Sequence, residues 1–122
     1  VATALLCLGI PFIYGTGRFL QPGGFTWSAS NREAELAVPG WTKRAVQAHL
    51  NLIESLAPFA IFVIVAHISG KANEVTALGS TIFFWGRVAH LIVYVAGIVY
   101  LRTLAWFASW VGGILVIIQL FK

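Results

Sequence analysis

Between Arg44 and Pro58 a carboxylate, Glu54, and an amide, Asn51, interrupt an otherwise apolar run. A helical residue advances by about 100°, so Gln47, Asn51, Glu54 and Pro58 fall on one stripe, with Arg44 beside it. Leu50, Leu52, Ile53, Leu56 and Ala57 cover the opposite face. A second stripe runs through Arg87, His90, Tyr94 and Gly97, spaced by 3, 4 and 3 residues. An ionisable group at membrane depth is costly, so it faces protein or water and finds a partner. The economical expectation is that the two stripes meet and that Glu54 and Arg87 share one shielded cluster, paired directly or through Asn51 or His90. Such a pocket suits a small anionic molecule. A guanidinium grips carboxylates, a carboxylate receives an ammonium group, and an Arg or a Tyr hydroxyl stabilises a thiolate. The plainer alternative is a hydrogen-bonded seam between helices with no chemistry.

Other chemistries fit less well. His49, His67 and His90 lack metal-ligand spacing, and His49 points away from Glu54 around the helix, so no metal site is expected. No Gly-rich run precedes a Lys-Ser or Lys-Thr pair, and no Ser lies in a nucleophile elbow. The single cysteine, Cys7, excludes an internal disulfide and reads as a small packing residue.

The elements that position these residues are membrane helices. Of 122 residues, 59% are hydrophobic and only 10% charged, against about 25% charged in a soluble domain. Mean hydropathy is +0.87. The length allows one domain of about four spans. The formal charge of +4 comes without a basic cluster, which argues against nucleic acid and for membrane orientation. The spans are predicted at about 1–17, 41–69, 74–99 and 104–121. Val1 in place of Met suggests that residues precede it. Pro11 and Pro58 predict bends within spans rather than breaks. The segment from Trp27 to Pro39 reads as a surface loop, with Trp27 and Trp41 at the interface. Asn73 is the expected N-cap of the third span, and Tyr100 to Thr103 the short connection to the fourth. Gly112 and Gly113 allow close helix contact, although glycine is also simply tolerated in membrane helices. Arg18, Arg32, Lys43, Arg44 and Arg102 lie on one side, and Lys71 and Lys122 on the other. This asymmetry predicts the first and third connections inside and both termini outside the cytoplasm.

At these residues the chain resembles a known family. Arg44, Ala48, His49, Asn51, Glu54 and Pro58, followed by Arg87, His90, Tyr94, Gly97 and Arg102, look like the paired motifs of the MAPEG family, membrane-associated proteins in eicosanoid and glutathione metabolism. The loop Asn31 to Glu33 and the segment Arg102 to Trp106 look most like its small bacterial branch. The resemblance covers nearly the whole chain. It implies an all-α, four-transmembrane-helix bundle in the bacterial inner membrane. It also implies a homotrimer with glutathione, as co-substrate, bound between neighbouring subunits toward the cytoplasmic side. It implies that Asn51 and Glu54 bind glutathione, with Arg87, His90 and Tyr94 on the facing helix. Arg18 matches a basic position of glutathione-binding members. Arg102 lies near the region where the eicosanoid enzymes keep a thiolate-activating Arg. Arg44 belongs to the first motif, and Tyr94 and Arg102 are the candidates for thiolate stabilisation. The chain departs from the pattern at Gln47 and Leu50, where family enzymes often carry Arg, so modest glutathione affinity is expected.

Three functions compete. One is a glutathione transferase or peroxidase acting on a lipophilic small-molecule substrate from the surrounding lipids. Another is a small four-helix transporter that uses one buried Glu. That Glu belongs in the first span, which here has none. The third is a scaffold or lipid-binding protein without chemistry. Each singled-out residue also has a plainer use. Glu54 with Arg87 is an ordinary ion pair, His90 a helix-to-helix donor and Tyr94 an interface aromatic. Arg44 is a snorkelling side chain and Arg102 an orientation charge.

Overall fold

The computed structural model describes residues 1–122. The chain folds into five helices and no strands: α1 (Ala2–Phe19), α2 (Gly24–Ala29), α3 (Gly40–Ile68), α4 (Glu74–Ala96) and α5 (Val99–Leu120). All but α2 are long and apolar enough to cross a membrane, and the architecture is an all-α four-span bundle. Large apolar side chains such as Leu8, Phe12, Ile61, Trp85 and Ile92 point outward. That arrangement is costly in water and natural against lipid tails.

The helix α3 is central, packing against α1, α4 and α5. Ile10, Ala48, Leu52 and Leu91 form a small core that joins α1, α3 and α4. His49 faces α1, where its Nδ1 lies 3.1 Å from the Tyr14 hydroxyl and its Nε2 3.5 Å from Cys7 Sγ. Helix α3 runs unbroken through Pro58. Proline has no N–H, so the carbonyl of Glu54, four residues earlier, loses its helical donor.

The tightest packing is between α4 and α5. A Cβ on Gly79 would stand 2.6 Å from the Gly112 carbonyl oxygen, and one on Gly86 would stand 2.8 Å from the Ser109 nitrogen. Only small residues permit this approach. Of the two adjacent glycines in α5, Gly112 sits in this seam and Gly113 faces open space.

Helix boundaries differ from the expected ones in three places. A short helix, α2, occupies the start of the expected surface loop. Gly23, at φ 71°, turns the chain into it, and the Trp27 indole anchors the return by donating to the Ala34 carbonyl at 2.5 Å. The third span ends at Ala96 rather than at 99, because Gly97 adopts φ 81°, a left-handed conformation suited to glycine. The amides of Gly97 and Ile98 then cap the Tyr94 and Val93 carbonyls at 3.0 and 2.9 Å. Gly97 is therefore a helix stop and not part of the polar face. Tyr100 to Thr103, expected as a connection, is the first turn of α5. Asn73 caps α4 as expected: its Oδ1 accepts from the Val75 and Thr76 amides at 2.9 and 3.0 Å.

The antiparallel order gathers Arg18, Arg32, Lys43, Arg44 and Arg102 at one end of the bundle. Lys71 lies at the other end, where its Nζ donates to the Leu120 carbonyl at 2.5 Å.

Candidate functional site

The polar stripe of α4 does meet α3, through Asn51. The Arg87 Nη1 donates to Asn51 Oδ1 at 2.6 Å. The Arg87 side chain is only 1% exposed, and its Nε and Nη2 have no hydrogen-bond partner. The guanidinium also lies 5.5 Å from the centre of the Phe83 ring. A buried guanidinium with unused donors is expensive unless an acceptor reaches it.

One and two turns further along α4, His90 and Tyr94 meet edge to face at 5.3 Å, with His90 3% exposed. The Arg102 guanidinium lies over the Tyr94 ring, 4.7 Å from its centroid. Its place in the first turn of α5 follows from the early stop at Gly97, which folds α5 back directly beside Tyr94. Asn51, His90, Tyr94, Arg102, Thr103 and Trp106 together line a polar cavity of about 350 Å3 toward the basic end of the bundle.

Glu54 departs from expectation. It is exposed within the chain and forms no ion pair with Arg87. The reason is angular: three residues on from Asn51, it is rotated by about 60°, out of the α3–α4 contact and toward α5. There it lines a second cavity, of about 270 Å3, walled by Phe59, Phe62, Phe83, Trp106, Trp110 and Ile117. Asn51 and Trp106 line both cavities. The site is thus bipartite, with guanidinium and imidazole groups on one side and a carboxylate among aromatic rings on the other.

Arg18 and Arg44 lie outside both cavities within one chain. The Arg18 guanidinium stacks over Tyr14 at 4.7 Å and Trp27 at 5.2 Å. The Arg44 Nε donates to the Val95 carbonyl at 3.0 Å, and its guanidinium packs against Gly97. Arg44 thereby satisfies an orphan carbonyl at the end of α4. Sequence reasoning missed the aromatic half of the site. Trp106 and Trp110 are four residues apart and so share a helical face, but in an apolar span that pattern is indistinguishable from a lipid-facing stripe.

Fold and site define a class: an integral membrane protein of four spans, with a polar interhelical site near its basic end. The MAPEG family model matches residues 1–122, and the chain belongs to the MAPEG family. No curated protein and no solved structure matched the chain.

Proposed function

We propose that the chain is a glutathione-dependent transferase or peroxidase acting on lipophilic electrophiles that partition into the bilayer. Glutathione is the general co-substrate of the family. The observation that carries the reading is the polar cavity, which Arg102, Tyr94, His90 and Asn51 line together, with Arg87 behind it holding Asn51. Glutathione offers two carboxylates, an ammonium group and a thiol. In this reading Asn51, held in place by Arg87, fixes a peptide group and Glu54 receives the ammonium. Arg102 and the Tyr94 hydroxyl face the sulfur. A guanidinium within about 4–6 Å lowers a thiol pKa by about 1–3 units, which favours the thiolate at neutral pH. The thiolate then attacks an electrophilic carbon, forming the S–C bond as the leaving group departs with its electron pair. With a hydroperoxide, it attacks the terminal oxygen as the O–O bond breaks and the alkoxide leaves to be protonated to the alcohol; a second glutathione then displaces water from the sulfenic acid to give the disulfide.

MAPEG proteins are generally trimeric, and a homotrimer suits the exposed flank of Glu54. In a homotrimer glutathione lies between neighbouring subunits, with Arg18 as a further ligand for a carboxylate. Arg44 acts at one remove, by holding the end of α4. The basic end faces the cytoplasm and both termini lie outside, in a bacterial inner membrane. Protease or tag accessibility of Lys71 to Glu74 from the cytoplasmic side would contradict that orientation. The test of function is thermal stability in detergent with and without millimolar glutathione. Binding raises the melting temperature. No shift at saturating concentration rejects the reading in favour of a non-catalytic scaffold.

A further inference from the structure

The aromatic cavity has a chemical character that differs from that of its polar neighbour. The one ionisable side chain among its lining residues is the Glu54 carboxylate. The Ser55 hydroxyl is engaged with the Asn51 and Leu52 carbonyls at 3.1 and 3.2 Å. The walls are the rings of Phe59, Phe62, Phe83, Trp106 and Trp110, with Phe59 and Phe83 stacked at 3.8 Å. Neither Arg87 nor Arg102 lines the cavity: Arg87 lies behind the wall, bonded to Asn51 and 5.5 Å from the Phe83 centroid, and Arg102 sits over Tyr94. Aromatic faces attract cations, most strongly where water is excluded. A carboxylate within a membrane span gains from a positive partner.

We propose that this cavity binds a small lipophilic organic cation, with its ammonium group against Glu54 and its apolar part among the rings. The cavity of about 270 Å3 limits the ligand to one ring or a few short alkyl groups. The site goes beyond the glutathione reading and intersects it at one point. Both ligands present an ammonium group to Glu54, so the organic cation competes with glutathione.

The test is equilibrium dialysis of radiolabelled benzyltrimethylammonium against the full chain in a non-ionic detergent, without glutathione. Its neutral carbon isostere, neopentylbenzene, serves as competitor. Saturable binding is expected, and the isostere displaces the probe at least about tenfold more weakly than the unlabelled cation does. Glu54→Gln weakens binding by about tenfold or more. Gly113→Leu fills the cavity from a position where an added Cβ meets nothing within 4 Å, and it abolishes binding with Glu54 intact. The proposal is overturned by an absence of saturable binding, by equal competition from the isostere, or by unchanged affinity in a folded Gly113→Leu variant. The two readings fail separately. A chain that binds the cation and ignores glutathione keeps this site and loses the transferase function; the reverse result keeps the transferase and removes this site.

Discussion

The two faces of α5 are built to opposite rules, and the change falls between adjacent residues. Gly112 lies in the seam with α4, where an added Cβ would stand 2.5 Å from the Phe83 backbone nitrogen. Gly113 faces the aromatic cavity, where an added Cβ meets nothing. The seam is held by backbone proximity and leaves no space for a ligand. The opposite side, toward α3, is lined by Phe59, Phe62, Trp106 and Trp110, which leave a cavity of about 270 Å3 between them. The same residue type therefore serves rigidity on one face and vacancy on the other. Glycine content alone carries no information about function; the neighbours across the gap decide it. Dense packing of α4 on α5 also fixes the relative positions of Arg87, His90, Tyr94 and Arg102, all of which belong to this pair of helices.

The sharpest way to break the contrast is to load the seam. Gly112→Leu is expected to cost about 3 kcal/mol or more, because backbone atoms on α4 cannot yield to a side chain. Thermal denaturation in detergent checks this, and a variant as stable as the parent would refute close packing there. Asn51→Leu removes the acceptor bound to Arg87 and leaves a buried guanidinium with no hydrogen bond. We expect a loss of about 2–3 kcal/mol in the same assay. Gly97→Ala forces a side chain into the left-handed region at φ 81° and should cost about 1–2 kcal/mol. At the small end, Gly113→Ala should be neutral or stabilising by up to about 1 kcal/mol, since it adds helix propensity without a clash. If Gly113→Ala were as damaging as a substitution at Gly112, the cavity on that face would not exist.

Much of this was legible in the sequence. Long apolar runs and the N-cap at Asn73 place the long helices to within a few residues. The spacing of Arg87, His90 and Tyr94 places them on one face. The meeting of Asn51 with Arg87 follows from the burial penalty of charge, which demands a partner. Which partner was not legible. Asn51 and Glu54 differ by about 60° around α3, and a sequence stripe is too coarse to choose between them. Gly97 continues the 3, 4 and 3 spacing of the polar face, and spacing alone does not encode the left-handed conformation that ends the helix there. The role of Arg44 needed the tertiary contact, since its partner Val95 is 51 residues away. Trp106 and Trp110 gave no signal of a cavity, because an aromatic residue in a span suits lipid as well as a ligand.

The central claim is that the polar cavity holds glutathione as its thiolate, with Arg102 and Tyr94 on the sulfur. The direct measurement is the ultraviolet difference absorbance of the thiolate in the glutathione complex at neutral pH, in the parent, Arg102→Ala and Tyr94→Phe. A thiolate signal that saturates with glutathione is expected in the parent, falling by up to about tenfold in Arg102→Ala, corresponding to about one pKa unit. A smaller fall is expected in Tyr94→Phe, which loses one hydrogen bond while keeping the ring beneath Arg102. A parent that saturates with glutathione yet shows no thiolate would contradict the claim.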